Sequence, residues 1–169
     1  TSKGLSDAAL QSGGIRLYEL KDGGAREIEI EVEGRRDNTF ILIKPIGQIL
    51  EPETIHVVAI THQIQDSQGR TVEPMMPGVL ALAKNPIFAQ NESQLAVLER
   101  ESAAKVELVR SGVHKGLAQI DTAGLLPQSV VAAAWSFKTL SVVPEMLKWR
   151  DAPNVLDTDP NPTVRRTQS

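Results

Sequence analysis

Four glutamates recur at every second residue from Glu27 to Glu33, the densest set of potential acid–base or cation-binding groups in the chain. Carboxylates held close together shift one another's proton affinity, so a convergent pair could act as acid and base or hold a cation. The spacing works against convergence. On one face of a strand, successive glutamates fan out in steps of about 6–7 Å, and ligands from elsewhere would have to complete any site. The pattern instead describes a solvated strand face, an edge that discourages wrong strand pairing, or a salt-sensitive contact with a basic partner.

The three histidines are His56, His62 and His114. His56 and His62 flank one expected strand and share its alternating face, but six extended residues put them about 20 Å apart, too far for a metal pair. His114, between Gly112 and Gly116, could join either only through tertiary folding. Asp66-Ser67 and Asp121-Thr122 supply isolated carboxylates and hydroxyls, without the neighbouring base that activates a nucleophile. There is no nucleophile elbow, phosphate loop, zinc signature or dinucleotide fingerprint. The sequence therefore assigns no catalytic residue, no metal ligand and no cofactor. An enzyme would need at least two of His56, His62, His114, Glu29, Glu31 and Asp121 to meet in one pocket.

The composition narrows the partners. The 169 residues carry a net charge of −3, and residues 1–84 hold nine basic and twelve acidic side chains against nine and nine in residues 85–169. Phosphate backbones are bound by concentrated Lys and Arg, and single strands by aromatic platforms. Aromatics make up 4% of this chain, so nucleic acid is not expected as a main partner, with Arg35-Arg36 and Arg165-Arg166 as local exceptions. Zero cysteines exclude a disulfide framework and fit a reducing compartment. Thr1 is the small type of residue left after removal of an initiator methionine, and residues 1–12 lack the apolar stretch of a secretory signal. The longest apolar run, Val130 to Val143, is interrupted by Ser136, Lys138, Thr139 and Ser141 and is too short to span a bilayer. The expected location is the cytoplasm, or a particle assembled there.

These groups must be positioned by a mainly antiparallel β-sheet in residues 14–73, followed by two principal helices: an α+β domain over residues 14–150, with a polar N-terminal arm (residues 1–13) and an extended C-terminal tail (residues 151–169). Ser6 to Leu10 form a short helical piece within the arm. Lys21-Asp22-Gly23-Gly24 has the chemistry of a tight hairpin turn. Glu27 to Glu33 is a half-buried strand with Ile28, Ile30 and Val32 inward. Gly34 to Asn38 turn the chain into Thr39 to Ile43, a continuous apolar run that reads as a strand buried on both faces. Thr54 to Thr61 make a further strand, and a second hairpin turns at Asp66 to Gly69. Residues 79–83 and 117–120 are open between helix and strand. A first long helix is expected from a cap at Asn91 or Ser93 to about Arg110, with Leu95, Leu98, Ala103, Val106 and Val109 on one stripe and Gly112 as its stop. A second should open at Pro127 and run to Val143, with Pro144 dividing it from Met146, Leu147 and Trp149.

That second helix would be apolar almost all round, so one small sheet cannot cover it. Trp135, Phe137 and Trp149 become candidate interface anchors. The tail, with Pro153, Pro160 and Pro162 and few apolar side chains, would lose on the order of 15–30 kcal/mol of backbone entropy on ordering. It is expected to borrow its order from a neighbouring chain through Val155, Leu156, Val164, Arg165 and Arg166. Together these features suggest a non-enzymatic structural subunit of a larger assembly, such as a virus or bacteriophage particle, with a homo-oligomer as the simplest arrangement. The alternative is an adaptor module that binds a peptide or carbohydrate.

Overall fold

Asp22 and Gly23 both take positive φ, 53° and 80°. This two-residue reversal matches the twist of paired strands, and glycine adopts it without strain. It joins β1 (Ile15–Lys21) to β2 (Gly24–Ile28), as the Gly-rich sequence predicts. The computed structural model describes residues 7–10, 12–35, 40–66 and 68–141. Contacts divide the chain into two units, Thr1–Thr139 and Leu140–Ser169, and the fold described below belongs to the first.

The alternating run from Glu27 to Glu33 keeps its inward face but not its continuity. Glu29 interrupts it: β2 ends at Ile28, and β3 (Ile30–Arg35) begins a separate ribbon with β4 (Phe40–Pro45). Ile28, Ile30 and Val32 nonetheless reach one apolar cluster with Ile15, Leu17 and Val58. β4 corrects the expectation of a strand buried on both faces. Ile41 and Ile43 turn inward while Phe40 and Leu42 are exposed, because a two-stranded ribbon has one face to bury and one left to solvent.

β5 (Ile55–Thr61) pairs antiparallel with β1 and is the most buried strand. The hairpin after it turns where expected: the Asp66 carboxylate accepts the Gln68 and Arg70 N–H groups, and Gln65 bridges Thr71. At the N-terminus, α1 (Asp7–Leu10) matches the short helical piece, and Ala9 and Leu10 are buried in the core rather than part of a loose arm.

The second half departs from expectation. Of residues 79–83, the first three end α2 (Met76–Ala81), which has Pro77 in its first turn, and Leu82 caps it. Asn91 caps nothing: Gln90 and Asn91 have positive φ and form the turn between two-residue strands β6 (Phe88–Ala89) and β7 (Glu92–Ser93). The long helix, α3, is Arg100–Thr122. It runs through Gly112 and absorbs Leu117 to Ile120, burying Val113, Gly116, Leu117 and Ile120 at helical spacing. Of the expected stripe only Ala103 is fully buried, and Val109 is 55% exposed.

The expected second helix is a strand. Gln128–Val130 form one 3-10 turn, and Val131–Lys138 are β8, paired antiparallel with β5. Three successive alanines gave the run helical character, but an apolar segment of eight residues carries no period that separates helix from strand. The long-range partner decides it. The resulting sheet has the order β2-β1-β5-β8, so β8 is an edge. α3 covers one face, packing Val113, Leu117 and Ile120 on Tyr18, Val57 and Ala134. The ribbon and α1 cover part of the other. No described helix is long and apolar enough to cross a membrane.

Candidate functional site

The register of the four strands lines up two transverse rows on the sheet face opposite α3. One reads Ile28, Leu17, Val58 and Trp135; the next reads Arg26, Glu19, His56 and Phe137. The first row is apolar throughout. In the second, Glu19 and His56 are buried, at 5% and 0% exposure, on a face otherwise built of aliphatic side chains. A buried carboxylate is tolerated when partners surround it. Arg26 Nη2 lies 3.1 Å from Glu19 Oε1, whereas His56 Nε2, 3.8 Å from Glu19 Oε2, is beyond hydrogen-bond reach and buried without a partner. His56 Nδ1 is 3.1 Å from the Thr54 carbonyl oxygen, which can only accept, so Nδ1 carries the proton. Phe137 closes the row by stacking on the imidazole, with centroids 5.4 Å apart and planes 18° from parallel.

At the β8 end both rows finish in an aromatic that remains partly open to solvent. Trp135 is 42% exposed and Phe137 38%. From Val131 to Phe137 the strand carries no charged side chain, and among the described residues no strand pairs with its outer edge. The opposite edge differs: Arg26 and Glu27 give β2 charge of both signs, and Glu27 lies 3.7 Å from Arg16. The one charge of β8 is at its last residue, the exposed Lys138, and an edge otherwise without charge or proline is a template for another strand. Two of the sequence-derived interface residues, Trp135 and Phe137, thus stand two apart on one open edge, on a strand rather than a helix. Trp149, Val155, Leu156, Val164, Arg165, Arg166 and the tail lie outside the described residues, as do Pro144, Met146, Leu147, Arg36 and residues 1–6.

The groups weighed for catalysis are mostly kept apart. His56 is enclosed within the sheet, His62 lines a cleft of about 300 Å³ with Arg16, Thr61 and Ser129, and His114 Nε2 sits 3.0 Å from the Ala83 carbonyl. Glu29 and Glu31 do share a wall: with Glu27 and Arg16 they line a cleft of about 670 Å³ between β1, the β2–β3 junction and α1. No histidine and no Asp121 reach it, and its other walls include Ile15, Ile28 and Val32. Lys44 Nζ lies 2.9 Å from Glu33 and 4.0 Å from Glu31, so the glutamate face is partly neutralised across the ribbon. Among the described residues no three metal-ligating side chains gather.

The Arg26–Glu19–His56 row was not read from the sequence. Glu19 sits 37 positions before His56, and only the β1–β5 register makes them neighbours. One local signal existed: Ile15, Leu17 and Glu19 occupy one face of β1, so the glutamate continues an inward series.

Comparison with protein-family models, with curated proteins and with solved structures finds no match to this chain.

Proposed function

We propose that this chain is a non-enzymatic structural subunit of a larger protein assembly, joined to its neighbours through the β8 edge. The observation that carries the reading is the combination of an edge uncharged from Val131 to Phe137, which no described strand pairs, with two half-exposed aromatics, Trp135 and Phe137. Half-exposed aromatics beside unpaired main chain combine the groups that dominate interface energetics with a directional ladder for register. Other exposed apolar side chains, Phe40 and Leu42 on β4 and Leu108 and Val109 on α3, offer further contacts of the kind a multi-neighbour subunit uses. A virus or bacteriophage particle is the favoured setting, by analogy with subunits that exchange arms and edges.

The second reading, an adaptor that receives an extended peptide, draws on the same edge. Light scattering on the full chain over a wide concentration range separates them. The subunit reading expects self-association that rises with concentration; a chain that stays monomeric but pulls an extended peptide onto β8 supports the adaptor. Trp135→Ala sharpens the measurement. Because the indole is 42% exposed, truncation should cost the isolated fold only about 1–2 kcal/mol, well below a fully buried tryptophan. Its larger effect should fall on association.

A further inference from the structure

Resting on the assembly reading, we propose that the occupant of the β8 edge is β8 of a second copy, paired antiparallel about a two-fold axis at Ser136. The main-chain geometry selects this register. The Thr139 N–H donates to the Thr54 carbonyl, so Thr139, and with it Phe137, Trp135 and Ala133, turns its backbone groups toward β5. The groups of Ala134, Ser136 and Lys138 therefore point away from the sheet. The pairing is irregular between Ile60 and Thr61, opposite Ala132, so the regular ladder runs from Ala133 to Thr139 and is centred on Ser136. A two-fold axis there makes Ser136 a hydrogen-bonded pair with its own mate and sets Ala134 against the mate of Lys138. It also places each Trp135 opposite the partner's Phe137 at the closer, non-hydrogen-bonded positions, where cross-strand aromatic pairs are favourable.

The same axis accounts for the contrast between the two sheet edges. An isologous contact needs one patch that complements itself: β8 is uncharged from Val131 to Phe137 and its one charge, Lys138, falls opposite the mate's Ala134 and not its own copy, whereas β2 presents Arg26 and Glu27. Joining two copies would give a continuous eight-stranded sheet with α3 of both on one face. Trp135 and Phe137 of both copies would form a single aromatic cluster over the buried His56.

Cysteine substitution tests the register directly, because the chain has no cysteine of its own. A hydrogen-bonded antiparallel pair has Cα atoms about 5.5 Å apart, inside the disulfide range. In the full chain, Ser136→Cys is expected to oxidise to a covalent dimer, and Lys138→Cys, whose mate would lie about 13–14 Å away, is not. Sedimentation of Trp135→Lys should show self-association weakened by about tenfold or more. A chain that still associates without the Ser136→Cys crosslink, and without sensitivity to Trp135→Lys, overturns the β8 pairing while leaving the assembly reading in place. A chain monomeric at every concentration overturns both. Protected Ala134 and Ser136 amides in such a monomer, seen by hydrogen exchange, would assign the edge to residues 142–169 of the same chain.

Discussion

Glu19 is a carboxylate on an apolar sheet face, and its cost is offset by what touches it. Arg26 reaches it from the solvent side at 3.1 Å; His56 Nε2 lies on the buried side at 3.8 Å, beyond hydrogen-bond reach and with no partner of its own. Removing one member of a buried polar set leaves the others desolvated and unpaired, which costs more than the interaction contributes. Glu19→Ala is therefore expected to destabilise the fold by about 1–3 kcal/mol, the partly exposed Arg26 keeping the figure below that of a fully enclosed pair. Urea unfolding followed by tryptophan fluorescence measures it, and a loss below a few tenths would show that the row is not a stabilising unit. Residue-level sequence reading singled out Trp135 and Phe137 by type, because scarce aromatics stand out, but placed them on a helix instead of β8. It weighed His56 but missed Glu19 beside it, because neighbours made by strand register have no spacing in the chain.

Elements place those residues, and α3 does so through a glycine. A Cβ on Gly116 would come within 2.7 Å of Val57 Cγ2 and 3.2 Å of Leu20 Cδ1, so the helix backbone lies directly on the sheet. Gly116→Ala should relieve the helix of glycine's unfavourable propensity yet still lower stability by about 1–3 kcal/mol through overpacking. A stabilised variant would show that α3 rides higher on β1 and β5 than described. The same helix holds the chain between α2 and α3. Glu107 accepts the Ile87 N–H at 2.7 Å and the Arg110 guanidinium at 2.9 and 2.7 Å. The Arg110 hydrogen bond, supplemented by that from Ile87, lowers the Glu107 carboxyl from 4.5 to about 2. A folded-state value below the unfolded one stabilises above the unfolded value and loses that contribution as pH falls through the folded one. Protection of the Ile87 amide should thus fall as the solution is acidified from about 4.5 to about 2. In Glu107→Gln that dependence should flatten.

Element types were legible where the chain speaks locally. Asp22-Gly23 fixed one hairpin, Asp66 to Gly69 another, and the alternation of Ile28, Ile30 and Val32 survived even the break at Glu29. They were illegible where tertiary packing overrides propensity. Gly112 read as a helix stop, but α3 runs through it and on to Gly116, where the helix backbone closely approaches the sheet. Ala132 to Ala134 read as helix, but β5 recruits them as a strand.

At the scale of the molecule, a four-stranded sheet is covered by α3 on one face and in part by the β3–β4 ribbon and α1 on the other, with a charged β2 edge and a β8 edge that no described strand pairs. An association that binds only the folded chain raises apparent stability with concentration. Deleting residues 152–169 is expected to leave the thermal unfolding of the dilute chain unchanged and to reduce the rise of its midpoint with concentration. Scanning calorimetry at two loadings checks this, and an equal loss at both would place the tail in the chain's own fold.

The late position of β8 has a consequence for biosynthesis. A ribosome releases β5 about seventy residues before the strand that completes its second side, a delay of roughly 4–15 s at about 5–20 residues per second. Through that interval the nascent β1–β5 sheet carries an open flank at Ile55–Thr61, the position later filled by Val131–Lys138. Neighbouring polysome chains present the same flank at the same stage, so misdirected pairing during translation, rather than after release, is the hazard this topology creates.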